Sequence, residues 1–185
     1  MFFWVWFSLG TSPGGADRWF ISLYGGMFSD NALLDIARLQ TNFDNSSILV
    51  LSAGREIGRY RNKISLELEG QIAFHNGHQS HQEMNAVFIA RWLQFPWDHL
   101  IDTSMAVGNG LSYATKEPPI EILDSKNGKS SQWLYYLLIE IAFGLCAADK
   151  WDLFVRVHHR SGIYGLIHDV DSGSNFIGCG LRRRF

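Results

Sequence analysis

From residue 17 onward, apolar and polar positions alternate with a period of two. Side chains along a strand point to opposite faces in turn, so this period predicts strands with one apolar and one polar face. The pattern places strands at Arg18–Ser29, Ser47–Glu56, Lys63–His75, Glu83–Phe95, Ile101–Tyr113, Gln132–Leu145, Trp151–Ser161 and Ser174–Phe185. Lys63–His75 is the clearest: Ile64, Leu66, Leu68, Ile72 and Phe74 share one face, and Ser65, Glu67, Glu69, Gln71 and His75 the other. Only Ala32–Leu39, within the polar link Asp30–Asn45, suggests a short helical turn.

Glu67 and Glu69 on one face do not suit a dry core, because buried charges need partners. They suit a polar barrel lumen in which Arg55, Arg91 or Arg156 neutralises them. Strands of about ten residues match the ~9–11 that a tilted strand needs to cross a bilayer. Links after the first, third, fifth and seventh strands are expected to be the longer ones, as on the outer side of a membrane barrel. Aromatic residues near strand ends (Trp19, Trp92, Trp133 and Trp151 among them) fit interfacial girdles.

Alternation alone does not say which face is inside. A soluble lipocalin-like barrel would carry the same pattern with its apolar face inward. A membrane helix over Trp133–Ala148 is disfavoured by Glu140 and by a length short of ~20 residues. The start favours export: the apolar run Met1–Leu9 precedes a small-residue stretch ending at Ala16, so 1–16 reads as a signal peptide or its remnant. The expectation is a single domain over 17–185, an all-β, eight-stranded, antiparallel up-and-down transmembrane β-barrel ending in an aromatic residue.

Composition agrees. Charged residues make up 18%, below the ~25% of soluble domains. Net charge is −2, so there is no basic field for nucleic acid. Cys146 and Cys179 form no framework and are expected to be unpaired.

Candidate chemistry gathers on Trp151–Ser161. Trp151, Leu153, Val155 and Val157 make an apolar stripe that continues into His159 and Ser161, while His158 belongs to the lumen face. A base and a nucleophile two residues apart along a strand are close enough for general-base activation of the serine. In a barrel with both termini in the periplasm this strand runs outward, so the pair faces lipid at the outer leaflet. His75, His78 and His81 recur every third residue, but only Glu83 completes a ligand set, and the run reads as a polar loop with no metal expected. Arg182–Arg184 either meets anionic headgroups or simply terminates the last strand, with Arg183 on the apolar face and extending to the interface.

The run Val155-Arg156-Val157-His158-His159-Arg160-Ser161-Gly162, the segment Gly173–Gly178 and the aromatic C-terminus resemble the PagL-type lipid A 3-O-deacylases of the outer membrane. The resemblance implies a serine esterase of the bacterial outer membrane that removes the 3-O-linked hydroxyacyl chain of lipid A in lipopolysaccharide. It needs no cofactor, and a homodimer is left open. It makes Ser161 the nucleophile and His159 the base. Two positions depart from the family. Gly162 stands where the family has Asn, and Gly173 where its acid falls. Asp171, or alternatively Asp169, is then expected as the acid, with Gly162 and Asn175 in oxyanion or supporting roles. The rival reading is a non-catalytic small barrel, structural or adhesive.

Overall fold

The computed structural model describes residues 19–31, 33–38, 41–145 and 150–185. The expected signal segment and Cys146 lie outside them. Cys179 carries a free thiol. The strands are β1 (Trp19–Ser29), β2 (Phe43–Tyr60), β3 (Ile64–Gly77), β4 (Gln82–Trp92), β5 (Thr103–Ala114), β6 (Trp133–Gly144), β7 (Trp151–Ser161) and β8 (Gly173–Arg184), with short helices α1 (Leu33–Ala37) and α2 (Pro119–Asp124). Each strand pairs antiparallel with the next, and β8 closes on β1, so the sheet has no free edge. The expected eight-stranded up-and-down barrel is the observed fold.

The boundaries differ where pairing outlasts alternation. β2 is longer than expected because Phe43 pairs with Ser29 at one end and Tyr60 with Ile64 at the other. β4 stops at Trp92, and β5 begins at Thr103, whose N–H donates to Asp98 Oδ1 in the preceding turn. The longer links do not alternate as strictly as expected: 78–81 is short, and 93–102 is longer than 61–63. Within 115–132 the sequence reading missed α2, where Pro119 opens the first turn without needing its absent N–H.

The faces resolve the inside–outside question. Outward side chains include Leu23, Leu51, Leu68, Val107 and Leu153, with Leu51 54% exposed. Inward side chains include Glu67, Glu69, Arg91, Glu140, Arg156 and His158, all buried. A polar interior under an apolar exterior is the inverse of a soluble barrel and the arrangement of a transmembrane one. Trp133–Gly144, the stretch weighed as a membrane helix, is strand β6.

Glu140 is the centre of the interior. Its Oε1 accepts from Arg91 (2.8 Å) and Arg182 (2.6 Å), and its Oε2 from Arg156 Nη2 (2.6 Å). Arg91 also binds Glu67 (2.8 Å), and Arg156 binds Glu69 (2.7 Å). Of the arginines expected here, Arg55 is not a member; it lies over the Trp19 ring outside. Arg182, weighed above as a headgroup contact or a plain strand end, points into the lumen. Arg183 does lie outside, over the rings of Trp151 and Phe185.

Removing one partner of a buried charge network costs ~3–5 kcal/mol, because the remaining charges stay desolvated. Glu140→Ala takes one carboxylate from three arginines at once and leaves the buried network with an excess of positive charge. It is expected to lower barrel stability by at least about 3 kcal/mol, read as the urea midpoint of tryptophan fluorescence in detergent, while Arg55→Ala leaves the midpoint unchanged.

Candidate active site at the outer end of β7

The alternation of β7 decides what faces where. Asp152, Phe154, Arg156, His158 and Arg160 are buried inside. His159 and Ser161 lie half-buried on the outer face, above Val155 and Val157. The two neighbouring histidines therefore do different jobs. His158 is locked in the lumen between Glu83 Oε1 (3.0 Å) and the hydroxyls of Tyr24 (2.8 Å) and Tyr136 (3.1 Å).

His159 pairs across the sheet with Asn175, and its Nδ1 lies 2.6 Å from Asn175 Oδ1. Asn175 Nδ2 donates to the Asn31 carbonyl at 2.9 Å. A carbonyl oxygen can only accept, so the amide NH₂ must face Asn31 and Oδ1 must face the imidazole. His159 Nδ1 therefore carries the proton, and Nε2 keeps its lone pair as a base. Asn175 thus sets the tautomer, the task that the third member of a triad performs.

Neither aspartate is brought to His159. Asp171 Oδ1 accepts from Ser125 Oγ (2.7 Å), and Asp169 Oδ2 pairs with Lys129 Nζ (2.5 Å). Both stitch the 162–172 link to the 115–132 link. Gly162 is also committed elsewhere, since its N–H donates to the Ser172 carbonyl. Sequence reasoning gave Asn175 only an oxyanion or supporting role. Its cross-strand register with His159 is the signal that singles it out, and that register exists only once β7 and β8 pair.

The two departures have a steric cause. A Cβ on Gly162 would meet the Val170 carbonyl oxygen at 2.0 Å, so no asparagine fits there without moving the backbone. A Cβ on Gly173 would meet the Arg160 carbonyl oxygen at 2.2 Å, which equally excludes a carboxylate side chain.

Ser161 Oγ accepts from the Ile163 N–H at 2.9 Å. Ile163 (φ 52°) and Tyr164 (φ 53°) occupy left-handed backbone, a strained state for a β-branched residue. The strain is held by bonds from Ile167 N–H to the Gly162 carbonyl and from Leu166 N–H to the Ile163 carbonyl. Among the described residues no hydrogen bond joins His159 to Ser161. The serine proton remains available, because its bond to Ile163 uses only a lone pair.

The loops above the site are anchored from inside. Arg160 donates to both carboxylate oxygens of Glu121 on α2 (2.8 and 2.7 Å) and to the carbonyls of Ser131 and Gln132. Ser174 and Ser130 also donate to Glu121. Burial raises the Glu121 pKa, and Arg160 opposes that rise. A cleft of about 310 Å³ opens beside the site, with Phe28, Ile120, Leu123, Gly173 and Asn175 in its wall. Tyr164 and Leu166 project from the 162–172 link, Tyr164 fully exposed.

No family model and no curated protein matches the sequence. Solved structures with a similar backbone include two outer-membrane barrels. The outer membrane enzyme PagL aligns with a TM-score of 0.59 at 13% identity, over 90% of this chain and 99% of that one. Neisserial surface protein A (NspA) aligns with a TM-score of 0.56, also at 13% identity, over 93% of this chain and all of that one (100%). These likenesses give the fold, an eight-stranded barrel of outer-membrane type.

Proposed function

We propose that the chain is a serine esterase of the bacterial outer membrane that removes the 3-O-linked hydroxyacyl chain of lipid A. The observation that carries this reading is the Asn175–His159 pair beside Ser161, outside the barrel at the end of its apolar belt. A soluble ester has no reason to meet a site there, whereas an acyl ester of a membrane glycolipid lies at that depth. The acylated end of lipopolysaccharide, in the outer leaflet, fits this geometry.

Ser161 Oγ attacks the ester carbonyl while His159 Nε2 accepts the hydroxyl proton. Collapse of the tetrahedral intermediate expels the sugar oxygen, which takes that proton from His159. Water, deprotonated by His159, then attacks the acyl-serine; the intermediate collapses to release the fatty acid, and Ser161 Oγ takes the proton back from His159. Asn175 Oδ1 holds Nδ1–H and supports the imidazolium through a neutral dipole, which is weaker than a carboxylate. The chemistry requires His159 and Ser161 to close into a hydrogen bond, as catalytic contacts tighten on substrate binding.

The absence of that bond among the described residues favours a second reading, in which the same barrel is structural or adhesive. One experiment separates them. The refolded protein in detergent is incubated with purified lipopolysaccharide, and lipid A is followed by mass spectrometry. Loss of one hydroxyacyl group is expected from wild type and not from Ser161→Ala or His159→Ala. Intact lipid A from folded wild type, across several lipopolysaccharides, would establish the structural reading instead.

Asn175 gives a graded test. Asn175→Ala is expected to slow deacylation on the order of 10- to 100-fold, less than the ~10⁴-fold cost of disabling a triad carboxylate. Asn175→Asp keeps an acceptor facing Nδ1 and should retain more activity than the alanine variant. Equal rates for wild type and Asn175→Ala would remove Asn175 from the mechanism.

A further inference from the structure

Inside the outer mouth of the lumen sits a second group of imidazoles, independent of Ser161 and His159. His75 on β3, His81 in the 78–81 link and Glu83 on β4 are all buried. One ligand atom from each can be chosen so that all three lie within 4.8 Å of one another. His75 Nε2 is 2.8 Å from Glu83 Oε2. The His75 and His81 rings stack with centroids 4.0 Å apart and planes 13° apart.

His81 is the anomaly. Both of its ring nitrogens are buried without a hydrogen-bond partner, as is Gln79 Oε1 beside it. An unmet buried polar atom costs ~1–3 kcal/mol and calls for an explanation, an ion among them. Other parts of the cluster are already oriented. Glu83 Oε1 is held by Ser112 Oγ (2.9 Å) and His158 Nε2 (3.0 Å), which aims Oε2 at His75. Phe176 meets the His75 ring edge-on at 5.2 Å. Gln79 lies 2.9 Å from His75 Nδ1. Turning that amide over puts Oε1 against Nδ1–H and satisfies the orphaned oxygen. It also leaves the His75 Nε2 lone pair facing a carboxylate oxygen, two acceptors that a shared proton or a metal ion bridges.

We infer that His75, His81 and Glu83 form a binding site for a divalent cation of the zinc class. Two imidazoles and one carboxylate suit Zn²⁺, with Cu²⁺ and Ni²⁺ as chemical competitors. Bond lengths of ~2.0–2.2 Å put neighbouring ligands of a tetrahedral ion about 3.3 Å apart, so His75 and Glu83 are already near their places. His81, on the short link, swings in to complete the set, and the fourth position is open to water. Gln79 fixes the ring that binds, as a hydrogen-bonded neighbour does in metal–histidine sites. The ion would tie the β3–β4 link to the lumen wall.

The test uses the untagged full chain, refolded in detergent and stripped with chelator. Calorimetry with Zn²⁺ should show one saturable equivalent, and Co²⁺ should give the visible bands of a tetrahedral site. His81→Ala should abolish both. It breaks no described hydrogen bond, so folding is not at risk, and heat-modifiable migration on a gel checks this. Gln79→Ala should weaken binding about 10- to 100-fold. Glu83→Gln should also lose the ion; should that variant fail to fold, His81→Ala alone decides. His78→Ala should bind as wild type does, because the His78 ring lies outside, against Asp44. Absence of a saturable equivalent in wild type, or binding untouched by His81→Ala, overturns the site.

Discussion

Glu140 and the three arginines around it are the constraint on which the barrel depends. A barrel in hydrocarbon has its apolar side chains outside, so the polar residues of every strand are driven inward. The lumen is too narrow to leave them all in water, and unpaired charges there would be prohibitively costly. Arg91, Arg156 and Arg182 come from β4, β7 and β8, and their acids Glu67, Glu69 and Glu140 from β3 and β6. The network therefore ties strands far apart in sequence, and it tolerates no slip in register. A one-residue slip of any of these strands would turn its charges toward lipid.

That register places the chemistry. With Arg156 fixed on Glu140, the parity of β7 is set: His158 faces inward and His159 outward. Arg160 follows inward to Glu121 and draws α2 over the mouth. Ser161 follows outward, at the level where the strand ends. The interior ion pairs and the exterior site are thus two faces of one alternation.

Much of this was legible in the sequence. The period of two gave the strands, and the doubled carboxylates Glu67 and Glu69 pointed to a wet lumen rather than a dry core. The apolar stripe ending in His159 and Ser161 marked the candidate site on which the proposed function rests. What stayed hidden depends on contacts between strands. Glu121 looks like an ordinary loop acid until Arg160 reaches it. Asn175 acquires meaning only by lying opposite His159 in the β7–β8 pair. His75 and Glu83 read as strand residues with His81 in a polar loop between them, because alternation along a strand does not show a link folding back over its own hairpin.

The acid expected after Ser161 shows where a motif carried over by resemblance and the physics of this chain part company. Spacing along the chain directs attention to Gly173 and its nearest carboxylates, Asp169 and Asp171. Packing directs it elsewhere. The 162–172 link lies so close to β7 that the Val170 carbonyl fills the space a side chain at 162 would need, and the Arg160 carbonyl fills the space at 173. Both aspartates are turned toward the α2 link by Ser125 and Lys129. A group that orients His159 must then come from the next outward position of β8, which is Asn175. There a neutral amide brings a benefit that a carboxylate would not, because its NH₂ can hold the Asn31 carbonyl while its oxygen holds the imidazole. A carboxylate would face that carbonyl with no proton to offer. The asparagine is the side chain that satisfies both neighbours, and it leaves His159 Nε2 as the site's one basic lone pair.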